Sequence, residues 1–194
     1  MKKTIVTLVA LLAICGTSFA QDFGWGVKVG MNVSDMSKLS GSDAKTGLTA
    51  GVFADYRFND WFAVSGDLLF SREGAKFKDD GDKVTIKSNY LNIPILANFY
   101  VLDDLAFKIG IQPGFMLSGK AKTKTGGQEY SQSITDNFHT VDFAFPVGVS
   151  YELFDKIILD ARYNIGVANV LKVADDSNSN VHNNYFTISV GYRF

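Results

Sequence analysis

Cysteine is almost missing from this chain. Cys15 is the only one among 194 residues, and proline occurs three times and histidine twice. Cys15 lies in an amino-terminal segment marked for removal, so the remainder can hold neither a disulfide framework nor a cysteine-based metal site. An excess of either charge is missing too: 19 Lys and Arg face 20 Asp and Glu, for a net charge of −1. No nucleic-acid-binding balance exists. The main apolar run, residues 5–14, is too short for a membrane-spanning helix, and no stop-transfer charges follow it.

That run belongs to a secretory signal peptide. Lys2 and Lys3 form a charged start, and Ser18-Phe19-Ala20 gives a small-x-small cleavage site before Gln21. Leu12-Ala13-Ile14-Cys15 departs from a lipoprotein box because Ile14 is not small. Residues 1–20 are therefore expected to be cleaved and 21–194 to form one exported domain. Losing Lys2 and Lys3 leaves 17 basic against 20 acidic residues, a charge of −3.

Glycine (18) and phenylalanine (16) are plentiful, with eight tyrosines, and the apolar residues recur with a period of two. Phe186, Ile188, Val190, Tyr192 and Phe194 alternate with Thr187, Ser189, Gly191 and Arg193 at the end of the chain. Such alternation separates the two faces of a β-strand. It recurs over 24–32, 48–58, 62–71, 90–101, 105–118, 141–152 and 157–167, which predicts eight strands. A weak internal echo of Gly51-Val52 to Asp67 in Gly148-Val149 to Asp160 marks the hairpin as the building block.

The connections alternate long and short. Short turns fall at Asn59-Asp60, Leu102 to Asp104 and Phe154 to Lys156; long polar stretches fall at 34–45, 73–87, 119–137 and 171–183. An even strand count with this alternation predicts an all-β, eight-stranded antiparallel up-and-down transmembrane barrel with periplasmic termini and external long loops. The competing fold is a soluble eight-stranded barrel of the lipocalin sort, with its apolar face inward. Three features favour the membrane. The polar face mixes Gly, Ser and Thr with Lys28, Asp55, Arg57, Asp67, Lys108, Asp142, Glu152, Asp160, Arg162 and Arg193, a composition suited to a narrow lumen. Aromatics gather toward the short turns (Trp25, Tyr56, Phe58, Trp61, Phe99, Tyr100, Tyr151, Phe154, Tyr192, Phe194) and toward the long loops (Phe70, Phe115, Phe143, Phe186), as interfacial belts do. The final strand is apolar and aromatic to its last residue.

Several short motifs, in order, carry a resemblance: Gly26-Val27-Lys28-Val29-Gly30, Tyr90-Leu91-Asn92-Ile93-Pro94, Gly110-Ile111-Gln112-Pro113-Gly114, Asp160-Ala161-Arg162-Tyr163 with Gly166 and Asn169, and Gly191-Tyr192-Arg193-Phe194. The chain resembles the outer-membrane β-barrel domain family called "porin family protein" in Bacteroidota-type Gram-negative bacteria. The resemblance implies an eight-stranded outer-membrane barrel, bulges or rim positions at Pro94 and Pro113, and a carboxy-terminal strand whose Tyr192 and Phe194 signal to the barrel-assembly machinery. It implies no activity.

An eight-stranded barrel is just wide enough to be filled by side chains, and unpaired buried charge is costly. The ten lumen charges are therefore expected to neutralise one another, with Lys28 and Arg193 each needing an acidic neighbour. The expected function is a non-enzymatic integral outer-membrane protein whose external loops serve surface interaction or envelope integrity, without cofactor and as a monomer. A narrow channel for small solutes is the alternative. A lipid-modifying enzyme is the remaining one, and would need His139 beside Ser131 or Ser133 with an orienting acid; His182 is the only other histidine. Lys120, Lys122 and Lys124 form a basic string suited to lipopolysaccharide phosphates, against the plainer reading of a solvated loop. Asp79, Asp80 and Asp82, like Asp175 and Asp176, lack a Ca²⁺-loop pattern.

Overall fold

The structure, a computed structural model, describes residues 23–36, 42–79, 82–125, 128–133, 141–167 and 183–194. Residues 1–20, expected from the sequence to be a cleaved signal peptide, lie outside the described residues. The strands are β1 (Phe23–Met36), β2 (Ser42–Asn59), β3 (Phe62–Glu73), β4 (Ala75–Asp79), β5 (Asp82–Asn92), β6 (Ile95–Leu102), β7 (Leu105–Thr125), β8 (Gln128–Ser133), β9 (Val141–Leu153), β10 (Ile157–Gly166) and β11 (Asn183–Arg193). They make eight antiparallel staves, because β3 and β4, β5 and β6, and β8 and β9 are successive segments of single staves. The last stave closes on the first: β11 pairs with β1 from Gly26↔Arg193 to Met36↔Asn183. Closure pairs both sides of every stave at mid-wall among the described residues, which a membrane requires because lipid cannot satisfy a free backbone N–H or C=O.

Alternation sets the faces. Val29, Leu48 and Ile188 are about 60% exposed on the outer wall, whereas Lys28, Asp67, Asp160 and Arg162 are 2–3% exposed inside. A lipocalin-type barrel would show the reverse, so the outward apolar face excludes it. The wall carries rings close to the short turns: Trp25 meets Phe194 in a tilted pair with centroids 4.7 Å apart, and Trp61 stacks on Phe99 at 6.4 Å. Tyr100 departs from the expected belt. Its parity turns it inward, where its hydroxyl donates to Glu152.

The turn at Phe154 and Asp155 is left-handed at both residues, with φ of 53° and 58°. Lys156 N–H closes it on the carbonyl of Leu153 at 3.2 Å, and this handedness matches the twist of the flanking strands. At the opposite rim two expected loops are partly strand. Residues 73–87 contain the β4–β5 hairpin, and 119–137 contain a β7–β8 ribbon paired from Lys120↔Ser133 to Thr125↔Gln128. Polar β-ribbons carry little hydrophobic alternation, so their period is invisible to an apolar pattern.

Pro94 lies mid-wall between β5 and β6, neither at a rim nor in a bulge. Register continues across it, since β3 pairs Leu69 with Asn92 and Gly66 with Ile95, three residues apart on both staves. The Asp67–Pro94 pair keeps one hydrogen bond, from Asp67 N–H to the Pro94 carbonyl at 3.0 Å. Pro113 likewise sits in unbroken register opposite Phe143. One bulge instead falls in β7 near the long-loop rim: Asn89 pairs with Ser118 but Tyr90 with Met116, leaving Leu117 extra.

Candidate functional site: the charged lumen

Five lumen residues from four staves meet at mid-barrel. Lys28 Nζ donates to Asp67 Oδ2 at 2.9 Å and lies 3.9 Å from Asp160 Oδ2. Arg162 bridges both carboxylates, with Nη2 2.7 Å from Asp67 and Nε 2.5 Å from Asp160. Lys108 Nζ completes the group 2.9 Å from Asp160. Strand parity puts every one of these side chains inside, and small partners make room for them. A Cβ on Gly148, directly opposite Arg162, would sit 2.7 Å from Arg162 Cγ and 2.3 Å from the Ala161 carbonyl. The ring of Phe53 lies over Gly26 and Gly191 and stands 5.1 Å from Lys28 Nζ.

A second cluster closes the short-turn end. Arg193 binds Glu152 at 2.9 and 3.0 Å and Asp55 at 3.1 Å. The hydroxyl of Tyr100 donates to Glu152 at 2.7 Å, and the Arg57 guanidinium covers the Tyr100 ring at 3.8 Å. Between this cluster and the central one remains a void of about 10 Å³, room for roughly one water molecule.

The half toward the long loops holds neutral polar groups that the list of lumen charges did not include, together with the carboxylates Glu73 and Asp142. Asn92 donates to Glu73 at 2.9 Å and to the Tyr185 hydroxyl at 3.2 Å, and Gln112 also bonds Tyr185. Thr187 donates to Asn32 at 2.9 Å, and Asn164 to Thr187 at 3.1 Å. The void here is again about 10 Å³. Glu73 is 2% exposed although the sequence placed it at the start of a loop, and Asp142 is buried with one carboxylate oxygen accepting the Phe143 N–H at 2.7 Å. Parity held the missing signal, since Tyr185 shares the face of Thr187 and Ser189.

The other singled-out residues lie elsewhere. Lys120 is exposed and Lys122 half-buried on β7, where the backbone sets Lys124 opposite Lys83. Ser131 and Ser133 lie on β8 opposite Lys122 and Lys120. His139, His182, Asp80, Asp175 and Asp176 are outside the described residues. Asp79 and Asp82 pair across the β4–β5 hairpin. No group of three or more His, Cys, Asp or Glu is gathered for a metal ion among the described residues. Tyr192 and Phe194 are on the outer wall, 43% and 62% exposed, and Phe194 N–H donates to the Trp25 carbonyl at 3.0 Å.

Solved structures share this architecture. Ail, the attachment invasion locus protein of Yersinia pestis, is 20% identical, with 89% of this chain and 99% of Ail covered at a TM-score of 0.55. Neisserial surface protein A is 18% identical, with 89% and 97% covered at 0.50. These likenesses are of fold. No curated protein sequence matches the chain. Residues 19–172 match the family described as outer membrane protein beta-barrel domain, and with the outward apolar wall and closed eight-stave sheet already described, the chain belongs to that family as an integral outer-membrane barrel.

Proposed function

We propose that this protein is a non-enzymatic surface barrel whose sealed lumen serves as a rigid core, and whose long-loop rim contacts surrounding molecules and supports envelope integrity. One observation carries the reading: among the described residues the five-residue ion cluster spans the lumen, with a water-sized void on either side of it. Charges locked together at 0–8% side-chain exposure favour a plug over a solute path. The lumen residues act as structure, and contact with other molecules belongs to the exposed rim.

Orientation follows the general habit of bacterial barrels, short turns in the periplasm and long loops outside, so both termini are periplasmic. Residues 1–20 act as the cleaved export signal. Tyr192 and Phe194 present the aromatic end of the closing stave to the assembly machinery. The order of motifs supports placing the chain in the "porin family" group of Bacteroidota-type bacteria. Ail has been solved in complex with a heparin analogue, sucrose octasulfate, and the basic residues of the long-loop rim here supply charge for contact with sulfated or phosphorylated glycans.

Cells lacking the protein test this reading. Detergent sensitivity or adhesion to sulfated glycan should change, while uptake of small hydrophilic solutes stays the same. The opposite pattern would establish the channel and overturn the surface role.

A further inference from the structure

The β7 bulge changes the direction of the lysines beyond it. Below Leu117, Met116 is buried and Phe115 exposed; above it, Gly119 is buried and Lys120 exposed. Without the extra residue, even-numbered positions would stay inside and Lys120 would enter the lumen. With it, Lys120 stands on the outer wall directly opposite Lys87 of β5. Arg72, exposed on β3, pairs with Asn89, two positions from Lys87 on the same face. Asn89 Nδ2 donates to Ser118 Oγ at 2.8 Å, which ties β5 to β7 beneath the cations.

These side chains line a groove of about 540 Å³ with Thr46, Leu48 and Ser118. The groove opens where the β2–β3 pairing lapses, between Thr49↔Ser71 and the Ala44↔Ala75 pair that β2 makes with β4. Among the described residues that line it there is no carboxylate. Two lysines set directly opposite one another repel, and an anion between them removes that repulsion. Immediately toward mid-membrane on the same staves are Phe70, Phe115 and Leu117, 38–54% exposed on the wall. The cations therefore stand at head-group height above an apolar strip.

We propose that Arg72, Lys87 and Lys120 form a clamp on the outer wall for the phosphate of a phosphorylated lipid in the outer leaflet, with its acyl chains lying along Phe70, Phe115 and Leu117. The fork of Arg72 suits paired phosphate oxygens, and the two lysines supply point charges. A lipid fits better than a free anion, because the groove is continuous with the apolar wall. The proposal rests on the orientation given above, with the long-loop rim outside.

The test uses the full mature chain in phosphatidylcholine nanodiscs containing either bisphosphorylated or dephosphorylated lipid A, with retained lipid counted by native mass spectrometry. The native chain should prefer the phosphorylated lipid, and an R72Q/K87Q/K120Q variant should lose that preference by on the order of a hundredfold, about fivefold per cation. K156Q, a change at a short turn, should alter nothing. Equal retention of the two lipids by the native chain overturns the clamp, and that comparison needs no variant to fold. Undiminished preference in the triple variant, or displacement of the lipid by millimolar inorganic phosphate alone, overturns it as well. Orientation is read separately by labelling Gln132→Cys on intact cells with an impermeant maleimide. Absent labelling there would refute the orientation while leaving the nanodisc result to judge the clamp.

Discussion

Replacing Asp160 by Asn should destabilise the barrel far more than replacing Lys108 by Met, although the two side chains are partners 2.9 Å apart. The central cluster holds three cations, Lys28, Lys108 and Arg162, and two carboxylates, Asp67 and Asp160. Asp160→Asn leaves three buried cations around one carboxylate. Its side chain is 0% exposed, so water cannot substitute, and loss of one partner from a buried group costs about 3–5 kcal/mol. Lys108→Met leaves two cations facing two carboxylates and keeps the volume of the side chain, so its cost should be within about 1 kcal/mol. The double variant should cost less than the sum by roughly 0.5–3 kcal/mol, since the residues share one network. Urea unfolding in lipid vesicles, followed by tryptophan fluorescence and by the heat-modified band shift, measures all three. Equal and small losses for the two single variants would mean that the lumen is hydrated and the charges screened, and the plugged-barrel reasoning would fail.

Other expectations come from particular residues. Gly148→Val forces atoms into the space of the Arg162 side chain and the Ala161 carbonyl and should cost about 1–3 kcal/mol in the same assay; a neutral result would show that Arg162 is not held there. Phe154 and Asp155 occupy left-handed conformations that suit an Asn-Gly pair better, so combining Phe154→Asn with Asp155→Gly should stabilise by about 1 kcal/mol, and a lower unfolding midpoint would contradict the turn geometry. Deletion of Phe194 removes its contact with Trp25 and should lower the amount of folded protein in the outer membrane far more than it alters solute uptake; unchanged insertion would count against an assembly role for the closing residues.

The fold was legible because membrane burial amplifies alternation. On β1, Trp25, Val27, Val29 and Met31 face lipid and Lys28 and Asn32 face the lumen, so every second residue reports its side. The same logic puts Thr187, Ser189 and Arg193 inside, with Arg193 between Asp55 and Glu152. It failed where its physical basis stopped. Beyond the apolar band both faces of the β7–β8 ribbon are polar, and a period of two has no contrast to carry it. A single extra residue at Leu117 inverted the side on which Ser118 and Lys120 stand, and no feature of that side chain announces a bulge. Glu73 shows a related failure: charge suggested a loop, but its parity with Asp67, Leu69 and Ser71 gives it the inward face, where Asn92 donates to it. Which carboxylate meets which cation was out of reach, because stagger between staves decides that Arg162 of β10 reaches Asp67 of β3.

The plugged lumen underlies the proposed surface role, and conductance tests it directly. Purified mature protein, shown folded by its heat-modified band, would be inserted into a planar phospholipid bilayer under voltage in concentrated potassium chloride. The ion cluster and its water-sized flanking voids predict no steady single-channel steps. Reproducible open-channel steps from the folded native chain would contradict the account.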